Sequence, residues 1–391
     1  MSTKILLIAF LVLFTAASGR AASEQSECRN LNNFDAIGDF VTKNFYDRTF
    51  RGLDWKGTVR NFRLKIRCQM TDEEVTDVVN QLLAQLHASH TALYTSNDQY
   101  YWALGSIFSL KINGAAFPQV GAWFKKIGGH WFTQDIFEGS IAERSGLKVG
   151  DEVISIDGNT FTPIGLFEEK NQILTVRRHK NEAPQSLVIH PKNLGYQDVM
   201  LEGTKLSEKI FHTRGKKIGY IHLWCGTHSD FLAALHASIE RLSKTTDGLI
   251  LDIRDGFGGA GPAYIGPLFP PHSEYNSEDW SYNKPVVALI NSGTRSGKEW
   301  LAYILKVQKR ATLVGEATAG AFLSGGVHKF DNDKFLLYLA MQAFNPPDVT
   351  SPIEGVGVSP DVRIADPGPY ADGDDQQLKA AIKVLTFKIL F

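Results

Sequence analysis

Ser296 stands in the run Asn291-Ser292-Gly293-Thr294-Arg295-Ser296-Gly297-Lys298-Glu299, between an apolar stretch that reads as a buried strand and a helical stretch. A serine at such a junction exposes its hydroxyl at the end of a sheet. The helix N-terminus behind it offers unpaired backbone N–H groups to a developing oxyanion. Serine is also a common helix N-cap, so the local pattern admits both a nucleophile and a cap. A hydroxyl is a weak nucleophile near neutral pH and needs a base. Histidine titrates in the right range. Its second ring nitrogen needs an acceptor that fixes the tautomer and stabilises the imidazolium. Other chemistries lack their residues. The chain has no GxxxxGK[ST] phosphate loop, no HExxH and no C-x-x-C, so nucleotide, zincin, zinc-ribbon and thioredoxin chemistry find no support, and neither a cofactor nor a metal is expected.

Three regions of different character must position this serine. Residues 27–95 read as helical. Thr71-Asp72-Glu73-Glu74 is a capping box, and Val75, Val78, Val79, Leu82, Leu83 and Leu86 follow at helical spacing to an end near His87. Trp55 reads as a core anchor for these helices. Residues 96–195 alternate aromatic and β-branched residues with glycine turns. Residues 205–391 alternate strand and helix. Strands are predicted at 217–223, 249–254, 286–291, 311–315 and 335–343, and helices at 231–242 and 297–307. A last helix carries Leu378, Ile382, Leu385 and Ile389 on one face. That order predicts an α/β unit with a largely parallel core. Asp252 and Arg254 at a strand end read as an internal ion pair that positions the Gly258 turn.

The middle region contains Glu138-Gly139-Ser140-Ile141-Ala142-Glu143-Arg144-Ser145-Gly146-Leu147-Lys148-Val149-Gly150-Asp151-Glu152-Val153-Ile154-Ser155-Ile156-Asp157-Gly158, which resembles a PDZ domain. Gly121-Ala122-Trp123-Phe124 resembles the strand that receives a peptide, although it departs from the family's usual Gly-Leu-Gly-Phe. The resemblance implies recognition of a C-terminal carboxylate by loop N–H groups and addition of the peptide as a β-strand. A module that packs structurally and binds nothing is the alternative.

Nearly the whole mature chain resembles the C-terminal processing (tail-specific) serine peptidases. The motifs are Lys217-Ile218-Gly219-Tyr220-Ile221, the strand and turn from Gly248 to Gly259, the Ser296 run, and Ala311-Thr312-Leu313-Val314-Gly315-Glu316-Ala317-Thr318-Ala319-Gly320. Tail-specific proteases use a Ser–Lys dyad, but Ala321 occupies the lysine's place. Lys298 follows Ser296 too closely and should point elsewhere, and Lys329 is badly placed. The branch of the family similar to the tricorn core and the retinoid-binding-protein repeats lacks that lysine. Its Ser–His–Ser–Glu tetrad matches Ala88-Ser89-His90-Thr91 and Ile353-Glu354-Gly355-Val356-Gly357-Val358-Ser359-Pro360-Asp361. The resemblance therefore implies Ser296 as nucleophile, His90 as base, and Ser89 and Glu354 as the groups that orient it. Gly297 and the Gly258-Gly259 turn would be the oxyanion donors. His328 is the alternative base. A histidine base predicts a pH–rate profile rising at roughly 6–7. The implied fold is α+β and multidomain: a signal peptide at 1–21, a helical domain at 22–95, a PDZ domain at 96–195 and a crotonase-like, ClpP-type spiral core at 196–391. The implied function is an exported serine endopeptidase acting on protein or peptide substrates, some through their C-termini. A catalytically silent peptide- or ligand-binding homologue is the other reading.

Charge and the N-terminus set the surroundings. With 41 basic against 42 acidic residues, no positive excess exists to neutralise phosphates, so nucleic acid is not expected as a partner. Lys4 precedes an apolar run from Ile5 to Ala17 that has signal-peptide length and is short of the roughly 20 residues of a membrane span. Cleavage after Ala21 leaves small residues at the right positions. These features predict export, to a bacterial periplasm or outside the cell, without a stable membrane anchor. In an oxidising compartment Cys28 and Cys68 either pair or remain, with Cys225, as free thiols.

Overall fold

The computed structural model describes residues 28–108, 116–166, 168–366 and 368–391. The expected leader, residues 1–21, lies outside the described residues. The described chain opens with helices α1 (Arg29–Asn44), α2 (Trp55–Arg63) and α3 (Asp72–Ala84). The capping box forms: the Thr71 hydroxyl accepts the Glu74 N–H at 3.2 Å, and the Glu74 carboxylate accepts the Thr71 N–H at 2.8 Å. Trp55 is buried, stacks on Phe50 and donates its indole N–H to Thr42 at 2.8 Å. A disulfide joins Cys28 to Cys68, and Cys225 is free and buried. Strand β1 (Ala92–Thr95) and helix α4 (Gln99–Ile107) follow.

A β-rich module comes next. It comprises β2 (Phe117–Gln119), β3 (Ala122–Ile127), β4 (His130–Ile136), α5 (Ile141–Arg144), β5 (Glu152–Ile156), β6 (Asn159–Thr160), β7 (Gln172–Arg177), β8 (Gln185–Ile189) and β9 (Lys192–Leu194). Its main sheet runs β3-β4-β5-β7-β8, with β6 beside β5, and β2 pairs with β9 where the chain enters and leaves. Asp157 and Gly158 both take positive φ, 49° and 79°, the geometry of a two-residue hairpin turn between β5 and β6. Val120, Phe124, Val153, Leu174 and Val176 form this module's own core.

The rest comprises α6 (Tyr196–Leu206), β10 (Lys209–Thr213), β11 (Lys216–His222), α7 (Ser229–Thr245), β12 (Gly248–Asp252), β13 (Val286–Ile290), α8 (Gly297–Val307), β14 (Thr312–Gly315), β15 (Ser324–Phe330), β16 (Phe335–Gln342), β17 (Val362–Arg363) and α9 (Gln376–Leu390). A six-stranded sheet runs β10-β11-β12-β13-β14-β17, parallel except at the β10 edge. Every residue of β12 and β13 is buried, because helices cover both faces, as a parallel sheet requires. Leu385 and Ala381 of α9 lie against Ile218, Ile250 and Val287. Leu301 and Ile304 of α8 and Leu235 and Ile239 of α7 share the other core with Leu249, Leu251 and Ile290.

Two expected boundaries shift. The N-terminal helices do not close a core alone. Phe34, Ile37, Val41, Val79 and Leu82 pack with Phe335, Leu337 and Leu339, and β1 pairs with β16 in a sheet ordered β1-β16-β15. Residues 99–107, grouped from sequence with the β-rich region, form α4, whose Tyr101 and Leu104 pack with Tyr196, Ile221 and Trp224. The first shift has a physical cause: three short helices lack enough apolar surface to bury one another. Leu337→Ala should therefore cost about 2–5 kcal/mol. Chemical denaturation followed by far-UV circular dichroism and by proteolysis within α1–α3 should then show one transition moving together. Melting of α1–α3 apart from the rest would contradict this.

Candidate active site

Ser296 lies at the N-cap of α8, directly after the carboxyl end of β13 and its short turn, with φ 55° and ψ −128°. Non-glycine residues rarely hold that backbone, and such strain is often kept where a side chain must be presented. Glu299 holds the turn in place. Its carboxylate accepts N–H groups from Ser296 at 3.1 Å, Gly320 at 2.7 Å and Ala321 at 2.8 Å, and the Thr318 hydroxyl at 2.6 Å. Burial raises its pKa, and these donors oppose the rise. The S-x-x-E spacing of Ser296 and Glu299 was readable as a capping box, but the link to 318–321 was not.

Gly258 packs directly against the serine. A Cβ there would fall 2.5 Å from Ser296 Cβ and 3.0 Å from the Gly297 nitrogen. The N–H groups of Gly258, Gly259 and Gly297 donate to no other group among the described residues. The turn that carries Gly258 is pinned by two buried groups. Asn291 donates to the Asp255 carboxylate at 2.8 Å and accepts the Asp255 N–H at 3.2 Å. Lys298, fully buried, turns away from Ser296, as expected. It donates to the carbonyls of Leu223 at 3.2 Å, Arg254 at 3.1 Å and Asp255. Burial pulls its pKa down to about 8. Arg254 and Asp252 form the expected ion pair, at 2.6 Å, and Asp375 joins it at 2.7 Å.

His90 follows α3 and precedes β1, with φ 54°. Its Nδ1 lies 2.8 Å from Ser89 Oγ. Ser89 donates its hydroxyl to one Glu354 oxygen at 2.9 Å and its N–H to the other at 2.9 Å. Phe322 N–H donates to the same carboxylate at 2.6 Å. The Glu354 loop is itself docked, with Gly355 N–H donating to the Gly320 carbonyl at 2.7 Å. Tyr338 of β16 meets the His90 ring edge-on at 5.1 Å. Gly325 leaves room for both, since a Cβ there would fall 2.5 Å from the Tyr338 ring and 2.9 Å from His90 Cβ. Ser89, His90, Gly258, Gly259, Ser296 and Tyr338 line one cleft of about 450 Å³.

The other expected base and lysine positions are elsewhere. His328 is exposed and stacks on Phe40 at 4.1 Å. Lys329 pairs with Asp333 at 2.7 Å. Ala321 is buried beside Glu299. The expected peptide-receiving residues, Gly121, Ala122, Trp123 and Phe124, are all buried, and Phe124 donates its N–H to Gln99 of α4 at 3.2 Å. Strand β3 is an edge strand, but a peptide joining it there must displace Gln99. Gly121 has φ 74°, and a Cβ would fall 2.5 Å from Ser140 Cβ, so substitution there would perturb the fold before it tested peptide binding.

Residues 270–364 match the peptidase family S41 model, and residues 30–84 match the tricorn protease C1 domain model. The chain carries a peptidase family S41 domain. It is 24% identical over 358 residues to the chloroplastic C-terminal processing peptidase of Tetradesmus obliquus, covering 83% of this chain and 75% of that one. It is 26% identical over 392 aligned positions to the carboxyl-terminal-processing protease of a Picosynechococcus species, covering 89% of this chain and 87% of the relative. Among solved structures, the photosystem II D1 C-terminal processing protease shares the fold with TM-score 0.53 at 20% identity, over 91% of this chain and 97% of that one. The tricorn protease does so with TM-score 0.53 at 19% identity, over 93% of this chain and 37% of that one. The S41 match spans Ser296 and Glu354, whereas the tricorn C1 match stops short of Ser89.

The electrostatics of the peptidase's cleft differ from the sequence expectation. Burial, and then the charge of Arg295, pull His90 down from 6.5 to about 4. The imidazole is therefore neutral and able to accept a proton well below the expected 6–7. Because the folded imidazole holds its proton less tightly than the unfolded one, His90 costs stability as pH falls from 6.5 through about 4, and costs nothing above 6.5. The His90 ring protons, followed by NMR between pH 3 and 8, should titrate near 4. A midpoint at 6 or above would contradict this environment.

Proposed function

We propose that this peptidase hydrolyses peptide bonds through an acyl-enzyme on Ser296, with His90 as base. The observation that carries the reading is Ser89 Oγ, which bridges His90 Nδ1 and the Glu354 carboxylate. The hydroxyl proton points to Glu354, so Ser89 offers an oxygen to an Nδ1–H, and Nε2 is left free to accept a proton. Ser296 Oγ attacks the scissile carbonyl carbon and passes its proton to His90. The carbonyl oxygen takes the charge and is met by the N–H groups of Gly297 and of the Gly258-Gly259 turn. His90 returns the proton to the leaving amine as the C–N bond breaks. Water, deprotonated by His90, then cleaves the acyl ester and restores Ser296. The ion pair of imidazolium with Glu354 is mediated by Ser89, so Glu354 is a positioning residue.

The cleft wall of Tyr94, Leu104, Ile107, Phe257 and Tyr338 suits an apolar side chain beside the scissile bond. The module from β2 to β9 supports a PDZ-like reading, with a substrate C-terminus reaching β3 only when Gln99 gives way. No helix among the described residues is long and apolar enough to cross a membrane. The leader-like N-terminus and the Cys28–Cys68 bridge support export to an oxidising compartment such as a periplasm.

A fluorophosphonate label and a fluorogenic peptide test this reading. The native peptidase should be labelled and active, and Ser296→Ala should be neither. His90→Ala should lose on the order of 10³-fold or more in kcat, and Glu354→Gln less. His328→Ala and Lys329→Ala should keep activity within about threefold, because neither residue lines the cleft. Native turnover from Ser296→Ala, or loss confined to the His328 or Lys329 variants, would overturn the assignment.

A further inference from the structure

Arg295 immediately precedes Ser296. It is half-buried, and its guanidinium makes no hydrogen bond or ion pair among the described residues. Other sheltered arginines here are committed: Arg254 to Asp252 and Asp375, Arg178 to Asp151, and Arg310 to main-chain carbonyls. Arg295 lines the catalytic cleft with Ser89, His90, Ser296 and Tyr338. It also lines a neighbouring cleft of about 590 Å³ between β3 and the 255–257 turn. The carboxylates of that second cleft are engaged elsewhere or are not available as anions. Asp98 caps α4 by accepting the Tyr100 N–H at 2.7 Å. Asp255 accepts from Asn291 at 2.8 Å. Asp135 is buried beside Asp255, and burial raises its pKa, which favours the protonated form.

A free guanidinium next to a nucleophile has two consequences. It is shaped to take a carboxylate by two parallel hydrogen bonds. Left without an anion, it also repels a positive imidazole. The groups facing His90 are Ser89, Glu354, Tyr338 and Arg295. Glu354 reaches it only through Ser89, so none of these groups cancels the Arg295 charge directly.

We propose that Arg295 is the carboxylate-recognition residue of this peptidase: a substrate carboxylate bound to its guanidinium orients the peptide across Ser296 and removes the charge that opposes proton transfer to His90. The carboxylate is either the substrate's C-terminus or an Asp or Glu side chain beside the scissile bond. The activating part rests on the Ser296–His90 reading, whereas recognition does not.

The test uses the full chain and alanine-rich peptides in matched pairs. One pair differs only in a free or amidated C-terminus, the other in Asp or Asn beside the cleavage point. Binding is measured in the Ser296→Ala background, so that it does not depend on turnover. The acid member of one pair should bind roughly 10- to 100-fold tighter, the worth of a charge-assisted hydrogen bond. Arg295→Gln should bring that ratio to within about twofold of unity. Preference within the first pair identifies the C-terminus as the source, and within the second pair the side chain. In otherwise native enzyme, Arg295→Gln should also raise the pH midpoint of fluorophosphonate labelling, which a purely structural role would not move. Equal binding within both pairs, or a preference that survives Arg295→Gln, would overturn the proposal. If the native enzyme takes no label while the binding preference holds, the catalytic reading fails and carboxylate recognition stands.

Discussion

The Glu354 carboxylate accepts from Ser89 N–H, Ser89 Oγ and Phe322 N–H, and so ties together three stretches of chain remote in sequence. Each side of that knot is shaped for it. The Ser89–His90 turn sits between α3 and a strand that pairs with β16. The 320–322 segment is held by Glu299 to the Ser296 turn. The Glu354 loop lies on Gly320. A partly buried carboxylate is tolerated because donors satisfy it. Removing it would leave Ser89 free to rotate and His90 without an orienting partner. The N-terminal helices, the α/β sheet and the C-terminal loop thus meet at one group, and the cleft depends on all of them.

The same economy of partners runs through the buried charges. Lys298 spends its donors on the carbonyls at the ends of β11 and β12. Glu299 uses its acceptors on the Ser296 turn and the 318–321 segment. Neither touches the cleft, yet together they fix the distance between Gly258 and Ser296, where a Cβ could not fit. Buried ions without such partners would be costly. His90 meets the same constraint differently: burial and the nearby Arg295 charge disfavour its protonated form, so it is sheltered as a neutral ring.

Much of this was legible in the residues. The strand-to-helix junction at Ser296, the capping box of Thr71 and Glu74, and the apolar strands β12 and β13 each carry a local structural pattern. The placement of Ser89 and His90 beside Glu354 followed from motif resemblance, not from spacing, because 265 residues separate Ser89 from Glu354. What stayed hidden was non-local. Nothing in α1–α3 announces that Leu337 completes their core. Nothing near Phe124 shows that Gln99 takes its N–H. The downward pull on His90 arises from burial and from Arg295, neither of which a motif encodes. Glu299 was half visible: its spacing marks a cap, and only the fold reveals its bonds to 318–321.

In the proposed reaction His90, Ser296 and the N–H groups of Gly258 and Gly297 surround one reacting carbonyl. A crystal structure of the peptidase inactivated by a peptidyl phosphonate tests this most directly. Phosphorus should be bonded to Ser296 Oγ. One phosphonyl oxygen should lie about 2.7–3.1 Å from the Gly297 nitrogen and a nitrogen of the Gly258-Gly259 turn. His90 Nε2 should lie within hydrogen-bond reach of Ser296 Oγ, with Ser89 still bridging to Glu354. An adduct on another residue, or a His90 ring turned away from Ser296 in the adduct, would contradict it.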